Sequence, residues 1–414
     1  MPLSAYAAVL CSRTMLLMLA LGFASGLPLA LTAGTLQARL AAEGVDIVAI
    51  GWFALVGQPY TYKFLWSPLM DRYTPPFLGR RRGWLLLTQL ALAGAIAFMG
   101  TLSAKDSIWL LGATALAVAF LSASQDIVFD ALRADSLAPE ERGAGAAVSV
   151  FGYRIAMLVS GAGALILADQ WLGWEATYGL MAALMAIGMI ATWLMIEPEP
   201  AGAPPETLAD AVAKPLAEFF ARNGAVALLA LVVLYKLGDA FAGNLTTAFL
   251  LRGPGFSLTE VGAVNKGLGL AATIAGALAG GALMAGLRLY RALLLFGALQ
   301  AVTNLGFMLL AGAGRDYALM VAVVGLENLA GGMGTAAYVA LLMALCDRRF
   351  SATQYALLSA LSAVGRVYVG PAAGYLVDTL DWAGFFLFTF AVALPGLVLL
   401  AVLRARIEAL DAGR

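Results

Sequence analysis

The chain has 414 residues, of which 62% are hydrophobic and only 12% are charged, and its formal net charge is zero. Soluble domains carry about 25% charged residues, so the solvent for most of this chain is lipid rather than water. The composition excludes a water-soluble globular fold, and the absence of a basic arm argues against a nucleic-acid partner.

Apolar runs of about 20 residues, the length of a membrane-spanning helix, recur along the whole chain. We predict twelve such spans, with approximate bounds 14–38, 47–70, 83–103, 107–131, 143–168, 174–196, 224–250, 258–284, 290–312, 317–345, 353–377 and 383–403. The runs are continuous and lack period-2 alternation, which argues against a β-barrel. The predicted fold is therefore an all-α membrane protein with twelve transmembrane helices.

Basic residues in the loops predict the orientation of these helices. Sixteen of the 25 Lys and Arg residues fall on the inner side if both termini are cytoplasmic, whereas only Arg39, Lys105, Arg252 and Arg315 fall in outer loops. Positive charge is retained on the cytoplasmic side of membranes, so we predict cytoplasmic termini. The N-terminus does not resemble a cleavable signal, because no basic residue precedes Arg13.

The polar, Pro-rich segment 197–221 divides the predicted spans into six and six. The halves also echo each other, as in "FASGLPLALT" at 23–32 and "FAGNLTTAFL" at 241–250. We predict an N-terminal six-helix bundle over 1–196, a cytoplasmic linker over 197–221 and a second bundle over 222–414. Duplicated bundles that enclose a midplane site are typical of transporters.

Small residues interrupt two of the predicted spans. Gly26 and Pro28 lie in the first span, and Gly331, Gly332 and Gly334 lie in the tenth. Such residues allow helices to approach closely, and they also serve as bending points between mobile halves. Both interpretations are kept open here.

The loop after the second span, "SPLMDRYTPPFLGRRRG" at 67–83, resembles the Gly-x-x-x-Asp-Arg-x-Gly-Arg-Arg signature of the major facilitator superfamily. It departs from that signature because Ser67 replaces the first Gly and five residues are inserted after Tyr73. The resemblance implies that Asp71 and Arg72 act as a cytoplasmic gate, with the carboxylate latching the two halves.

The basic residues of this loop have a simpler explanation. Arg80, Arg81 and Arg82 are accounted for as a topology signal. The equivalent loop after the eighth span has Ala285 in place of the Asp, so the second half lacks the acidic part of the signature.

The fourth span carries "SASQDIVFDALRAD", in which Ser122, Asp126, Asp130 and Arg133 share one helix face. Carboxylates in hydrocarbon cost at least about 2.5 kcal/mol each, so this face must point away from lipid. We predict that Asp130 and Arg133 form a structural pair within the cytoplasmic gate. Gln125 and Asp126 are candidates for contact with substrate or protons.

Other spans contribute further polar side chains to the candidate site. The additional substrate-binding candidates are Tyr62, Lys63, Arg154, Tyr235, Lys236, Asn244, Asn265, Lys266, Asn328 and Arg366. Five of the chain's bases and four of its acids lie within spans by this count, and a basic excess suits a substrate that bears carboxylates or phosphates.

Proton coupling must rely on carboxylates, because the chain contains no His. Removal from water favours the neutral form of a carboxyl group unless a cation lies nearby. Glu327 has no basic residue within a turn of its own helix, so it is the leading candidate. Asp239 lies three residues after Lys236 and can pair with it, and Asp126 completes the set of candidates.

Signals for an enzyme are absent from the sequence. There is no His for a Ser-His triad, no Cys/His metal spacing and no P-loop. We predict neither enzymatic activity nor a cofactor or metal site. The energy for transport must therefore come from a gradient or from a partner.

Four segments together resemble the AmpG family of muropeptide permeases from Gram-negative bacteria. They are "LGFASGLPLALTAGTLQARL", "KFLWSPLMDRYTPPFLGRRRGW", "SASQDIVFDALRAD" and "ERGAGAAVSVFGYR". The resemblance is strong over about residues 13–195 and looser beyond. It implies a major facilitator fold in the inner membrane and import of N-acetylglucosaminyl-1,6-anhydro-N-acetylmuramic acid, with or without peptide. It also implies proton symport, peptidoglycan recycling and an indirect part in β-lactamase induction.

The expected partners are the anhydromuropeptide, protons and the lipid bilayer, and we expect a monomer. Two alternatives stay open at this point. One is a transporter of acetyl-coenzyme A or another anionic solute from the same superfamily. The other is a non-transporting membrane receptor, against which the buried charges argue.

Overall fold

The structure, a computed structural model, describes residues 12–104, 106–137, 142–196, 220–221, 224–284, 286–345 and 351–412. These residues are helical nearly throughout and include no β-strand. The α-helices are α1 (Arg13–Thr32), α2 (Gly34–Ala42), α3 (Ile47–Trp52), α4 (Gln58–Tyr62), α5 (Ser67–Arg72), α6 (Arg80–Thr101), α7 (Ile108–Ser136), α8 (Arg142–Leu158), α9 (Ala164–Leu167), α10 (Gly173–Leu194), α11 (Ala225–Tyr235), α12 (Leu237–Arg252), α13 (Leu258–Val261), α14 (Gly269–Met284), α15 (Leu289–Ala313), α16 (Tyr317–Ala344), α17 (Ser351–Val402) and α18 (Arg404–Ala412).

Nine helical stretches of the described chain are long and apolar enough to cross a membrane. Two of them, Val148–Leu194 and Ala360–Val402, have 47 and 43 residues, about twice what a bilayer requires. The backbone turns to positive φ within each, at Gly173 (68°) and Asp381 (59°). These two stretches therefore each contain two spans, as the sequence predicts.

The segment predicted as the second span, 47–70, is not a single helix. It consists of α3, α4 and α5 separated by 3-10 turns at Phe53–Gly57 and Lys63–Leu65. Proline lies in the first turn of both α4 and α5, where its missing N–H breaks no helical hydrogen bond. Because this segment is not among the nine, the number of twelve helices remains a prediction.

The chain forms two compact units. Unit 1 comprises the described residues of Met1–Glu43 and Val56–Glu206, and unit 2 comprises those of Gly44–Leu55 and Thr207–Arg414. Unit 2 thus includes α3, which lies in the first half of the sequence. Residues 197–219, most of the predicted linker, lie outside the described residues.

In unit 1, α1 packs closely against α8 through glycines. A Cβ at Gly26 would lie 2.5 Å from the carbonyl oxygen of Tyr153, and a Cβ at Gly22 would meet that of Ser149. Helix α1 stays helical through Gly26 and Pro28 and ends at Thr32. Close packing, rather than a bend, therefore explains Gly26 in this structure.

Basic residues also hold the helix ends of unit 1 together. Arg81 pairs with Asp135 of α7, with 3.0 Å between Nε and Oδ2. Arg82 donates to the carbonyl oxygens of Thr192 and Trp193 at the end of α10, at 3.0 and 2.6 Å. These arginines thus have structural contacts in addition to the topological role that the sequence assigns them.

Arg39 lies within α2, and the prediction that it occupies an outer loop is wrong. The side chain is buried, and its Nε is 2.7 Å from Oε1 of Glu43. It also donates to the carbonyl oxygens of Met99 and Leu102 at the end of α6. Helix α2 extends the first span beyond the predicted end, because this charge is satisfied inside the protein.

In unit 2, glycines bring α14 and α16 together. A Cβ at Gly276 would meet the carbonyl oxygen of Leu329, and a Cβ at Gly332 would meet that of Thr273. Helix α16 runs without interruption from Tyr317 to Ala344. The glycines of the predicted tenth span therefore serve close packing in this structure.

Helix α3 packs against α17 in the same manner. A Cβ at Gly51 would meet the carbonyl oxygen of Gly370, and a Cβ at Gly374 would lie 2.8 Å from Cα of Val48. Substitution of either glycine would force the two backbones apart.

Candidate functional site

Asp126 in unit 1 receives support from two other elements. This half-buried residue of α7 accepts a hydrogen bond from Ser25 Oγ of α1 at 2.5 Å. Lys63, in the 3-10 turn after α4, is close enough for its charge to act on the carboxylate. The structure thus brings together Asp126 and Lys63, two residues that the sequence analysis selected separately.

Unit 1 also contains unsatisfied polar atoms on α7, the helix of Asp126, and on α4. Among the described residues, Tyr60 Oη, Ser122 Oγ and Gln125 Oε1 are buried without a hydrogen-bond partner. Each such group costs about 1–3 kcal/mol when it stays unpaired. The arrangement therefore suits water or a polar ligand, and contact of Gln125 with the substrate stays a prediction.

The predicted pair Asp130–Arg133 is confirmed, with 2.9 Å between Oδ1 and Nη2. Both side chains are partly open to solvent, and the arginine also lies 5.6 Å from the ring centroid of Phe129. Helix α5 ends at Arg72, but the side chains of Asp71 and Arg72 lie outside the described part of the structure. Their predicted gating role remains a prediction.

Arg154 and Tyr62 are two further candidates of unit 1. Arg154 of α8 is exposed and donates to Met157 Sδ at 3.7 Å. Tyr62 is a half-buried residue at the end of α4. Their roles in substrate binding are not tested by this geometry.

Unit 2 contains a charged cluster at the junction of α11 and α12. The predicted pair Lys236–Asp239 is confirmed, with 3.0 Å between Nζ and Oδ2. Asp239 lies in the first turn of α12, where the helix dipole favours a carboxylate. Lys236 Nζ also lies 3.5 Å from Thr335 Oγ1 of α16 and 5.9 Å from the ring of Tyr338.

Gln300 of α15 joins this cluster, although the sequence analysis did not select it. Its Oε1 accepts from Lys236 Nζ at 3.3 Å. The amide fits against glycines of α16, since a Cβ at Gly334 would lie 2.5 Å from Oε1. No local sequence pattern marks Gln300, because Lys236 and the glycines lie on other elements.

Glu327 of α16 lies within reach of the same charges. Lys236 and Asp239 both act electrostatically on its carboxylate, which accepts from Asn328 Nδ2 at 2.9 Å. Helix α16 itself carries no basic residue, so the base that acts on Glu327 is supplied by another element. Asn328 Oδ1 accepts in turn from Thr273 Oγ1 of α14 at 3.1 Å.

The hydroxyl of Tyr235 is engaged within unit 2. It donates to the carbonyl oxygen of Leu293 at 2.8 Å, and the ring stacks on Tyr338 with 5.7 Å between centroids. Tyr338 donates to the carbonyl oxygen of Val232 at 2.7 Å. These contacts fix the aromatic wall beside Lys236, and direct substrate contact by Tyr235 stays a prediction.

The remaining predicted residues of unit 2 lie on α12, α17 and the π-helical turn Gly262–Leu268. Asn265 Nδ2 and Lys266 Nζ both donate to Thr247 Oγ1, at 3.3 and 2.8 Å. Asn244 donates to the carbonyl oxygen of Arg366 at 2.9 Å, and the charge of Arg366 acts on Asp239. The structure thus connects Arg366 to the cluster and leaves Lys266 in a separate polar group.

The described residues include no group of three or more His, Cys, Asp or Glu side chains that could hold a metal ion. The charged groups within the spans are instead arranged as ion pairs and hydrogen-bonded amides. Charges inside membrane-spanning helices mark pathways for solutes or protons. An all-helical chain of this kind falls in the class of membrane transport proteins.

The chain belongs to the major facilitator superfamily and, within it, to the AmpG family. The family model "Major Facilitator Superfamily" matches residues 14–366. The chain is 61% identical to the anhydromuropeptide permease of Escherichia coli K12 over 392 residues, which cover 95% of this chain and 80% of that protein. It is 35% identical to putative transporter AmpG 4 of Rickettsia felis, over 94% of this chain and 96% of that one.

Solved structures agree in fold. The nucleoside transporter NupG superposes with a TM-score of 0.73 at 12% identity, over 94% of this chain and 99% of that one. A POT family transporter in complex with 5-aminolevulinic acid also gives 0.73, at 13% identity, over 95% and 96% of the two chains. The predicted major facilitator fold is confirmed, and the family also confirms a transporter rather than an enzyme.

Proposed function

We propose that this chain imports anhydromuropeptides across the bacterial inner membrane for peptidoglycan recycling, by alternating access and with the proton gradient as energy source. The similarity to the anhydromuropeptide permease of E. coli, 61% over 95% of this chain, carries the proposal of the substrate. Identity at this level over nearly the full chain favours a shared substrate over acetyl-coenzyme A.

We infer that Lys236, Asp239 and Glu327 form the proton-binding centre. Their charges act on one another within unit 2, and Lys236 is paired with Asp239 rather than with Glu327. A proton on Glu327 would therefore leave the Lys236–Asp239 pair intact. This pairing supports binding of a single proton at Glu327, while Asp126 supplies a second candidate carboxylate in unit 1.

We infer that the uncharged polar groups contact the sugars. In unit 1 the buried acceptor of Gln125, and in unit 2 the amides of Asn244 and Asn328, can each hydrogen-bond to hydroxyl or acetamido groups. The predicted excess of basic residues on the inner side supports cytoplasmic termini. We propose a monomer as the working unit. We assign the cytoplasmic gate to Asp71, Arg72, Asp130 and Arg133 on the resemblance of their loop to the superfamily signature.

The test is uptake of labelled anhydromuropeptide into proteoliposomes, with acid outside and with or without a protonophore. Labelled acetyl-coenzyme A is measured in parallel. We expect accumulation of the muropeptide alone, abolished by the protonophore. Transport of acetyl-coenzyme A alone would overturn the proposed substrate. If folded protein transported neither compound, the hypothesis of a non-transporting receptor would be restored.

Glu327→Gln isolates the proton step. The amide keeps the shape and the contact with Asn328 but cannot ionise, so we expect substrate exchange across the membrane to persist while acid-driven accumulation is lost. Exchange and accumulation are measured on the same proteoliposomes. Accumulation equal to that of the unmodified protein would remove Glu327 from the proton path.

A further inference from the structure

Lys266 is a membrane-embedded cation without an acidic partner among the described residues. The other lysine of unit 2 that the sequence analysis selected, Lys236, pairs with Asp239 at 3.0 Å. Lys266 instead donates to Thr247 Oγ1 at 2.8 Å, and no ion pair joins it to another described residue. A half-buried ammonium in a membrane-spanning helix that is paired only with a neutral hydroxyl is costly, which points to an anion that completes the site.

Lys266 lies about two turns inside a helical stretch that is long enough to span a membrane. It lies eight residues after Leu258, where the stretch Leu258–Met284 begins. At about 1.5 Å per residue this is about 12 Å along the helix axis, and a hydrocarbon layer is about 30 Å thick. Its ammonium is held by Thr247, which is itself 3% exposed, so the charge does not extend to the interface.

The local backbone brings a second donor beside the ammonium. Asn265 and Lys266 lie in the π-helical turn Gly262–Leu268, a geometry often found at functional sites. Both side chains donate to the single hydroxyl of Thr247. Each keeps further N–H groups, so together they can address the two oxygens of one carboxylate.

We propose that Asn265, Lys266 and Thr247 form a carboxylate-binding subsite that recognises an acid group of the transported peptide. This inference rests on the proposed function, because it takes the substrate to be a peptide-bearing sugar. Its ligand is a monovalent carboxylate rather than a phosphate. One ammonium and one amide balance a single negative charge, whereas a phosphate carries up to two and calls for several cations.

The test compares two labelled anhydromuropeptides that differ only in their carboxyl groups, which are free in one and converted to primary amides in the other. Uptake of both is measured for the unmodified protein, Lys266→Met and Lys266→Arg. The readout is the ratio of uptake rates, acid form over amide form, at low substrate concentration. This ratio is insensitive to how much folded protein each preparation contains.

We expect the unmodified protein to prefer the acid form by roughly tenfold or more, since a charge-assisted hydrogen bond is worth at least that factor. Lys266→Met should bring the ratio close to one, and Lys266→Arg should retain most of it. Thr247→Val, which removes the hydroxyl that holds Lys266, should lower the ratio to an intermediate value.

An acid preference in Lys266→Met equal to that of the unmodified protein would overturn the inference and leave the proposed function standing. A ratio near one in the unmodified protein would do the same. Failure of the unmodified protein to move either compound would instead overturn the proposed function, and the carboxylate subsite would fall with it.

Discussion

Two Arg–Glu pairs with the same spacing differ in burial, and burial decides how much an ion pair contributes to stability. Arg39–Glu43 and Arg404–Glu408 are both i,i+4 pairs, with 2.7 and 2.9 Å between Nε and Oε1. The Arg39 side chain is 4% exposed, whereas that of Arg404 is 60% exposed. Arg39 also caps the carbonyl end of α6 and lies 5.5 Å from the ring of Tyr178.

Arg39→Met should therefore destabilise unit 1 strongly. Loss of one partner of a buried pair costs about 3–5 kcal/mol, because the remaining charge and carbonyl groups stay unpaired. Arg404→Met is the matched control and should cost about 0.3–0.5 kcal/mol, the value of an exposed helical pair. Thermal unfolding in detergent measures both. Equal shifts for the two variants would contradict this account of burial.

Residues that pair along one helix could be predicted from the sequence, and residues that pair between helices could not. Spacing alone predicts Asp130–Arg133 and Lys236–Asp239, because residues three apart share a helix face. Ser25, Thr247 and Gln300 were missed, since each finds its charged partner on another element. A single sequence carries no information on the register between helices.

At the scale of elements, Gln300 connects α15 to the charged cluster and to α16. Its amide oxygen accepts a hydrogen bond from Lys236 and fits against Gly334. Gly334 lies about two turns after Glu327 on α16. A shift of α16 would therefore change the surroundings of the Lys236–Asp239 pair through Gln300, in addition to the direct contact between Lys236 and Thr335.

Gly334→Ala tests that connection. The added Cβ would lie 2.5 Å from Gln300 Oε1, so the amide must move away from Lys236. Because a hydrogen bond to a charged group contributes about 1.5–3 kcal/mol, we expect acid-driven uptake to fall by roughly tenfold. The melting temperature should change little, because the flexible end of the Gln300 side chain can move away from the new methyl group.

Two further variants make this result specific. Gly325→Ala on the same helix is the control, because the nearest atom to its Cβ would be 4.0 Å away, and uptake should be unchanged. In a Gln300→Ala background, Gly334→Ala should have no additional effect. Additive losses in the double variant would show that Gly334 acts by another route.

Some helices could be predicted from the sequence and others could not. Long apolar runs locate most spans, because hydrophobicity over about 20 residues is a strong signal. The segment 47–70 is also largely apolar, but prolines at the starts of α4 and α5 divide it into short pieces. The π-helical turn at Gly262–Leu268, which presents Asn265 and Lys266, has no comparable sequence signal.

At the scale of the whole molecule, the two units do not coincide with the two halves of the sequence. The segment Gly44–Leu55 is part of unit 2, whereas the residues on either side of it are part of unit 1. Its helix α3 is packed on α17 through Gly51, Gly370 and Gly374. If the halves of the sequence rock against each other during transport, the α3–α17 contact must open and close in each cycle.

A disulfide across this contact should therefore arrest transport reversibly. We choose Val48→Cys with Gly374→Cys in a chain whose native Cys11 and Cys346 are replaced by Ser. A Cβ at Gly374 would lie 2.8 Å from Cα of Val48, which is closer than a disulfide allows. The small separation of the backbones that Gly374→Cys itself forces lets the two Cβ atoms reach the about 3.8 Å of a disulfide.

Oxidation should abolish muropeptide uptake by the double-cysteine variant, and reduction should restore it, while each single-cysteine variant should be insensitive to the oxidant. Substrate binding, measured separately, should survive oxidation, because the crosslink blocks the motion and not the site. Full uptake by oxidised protein with a verified crosslink would show that α3 and α17 remain together throughout the cycle. The moving boundary would then follow the structural units rather than the halves of the sequence.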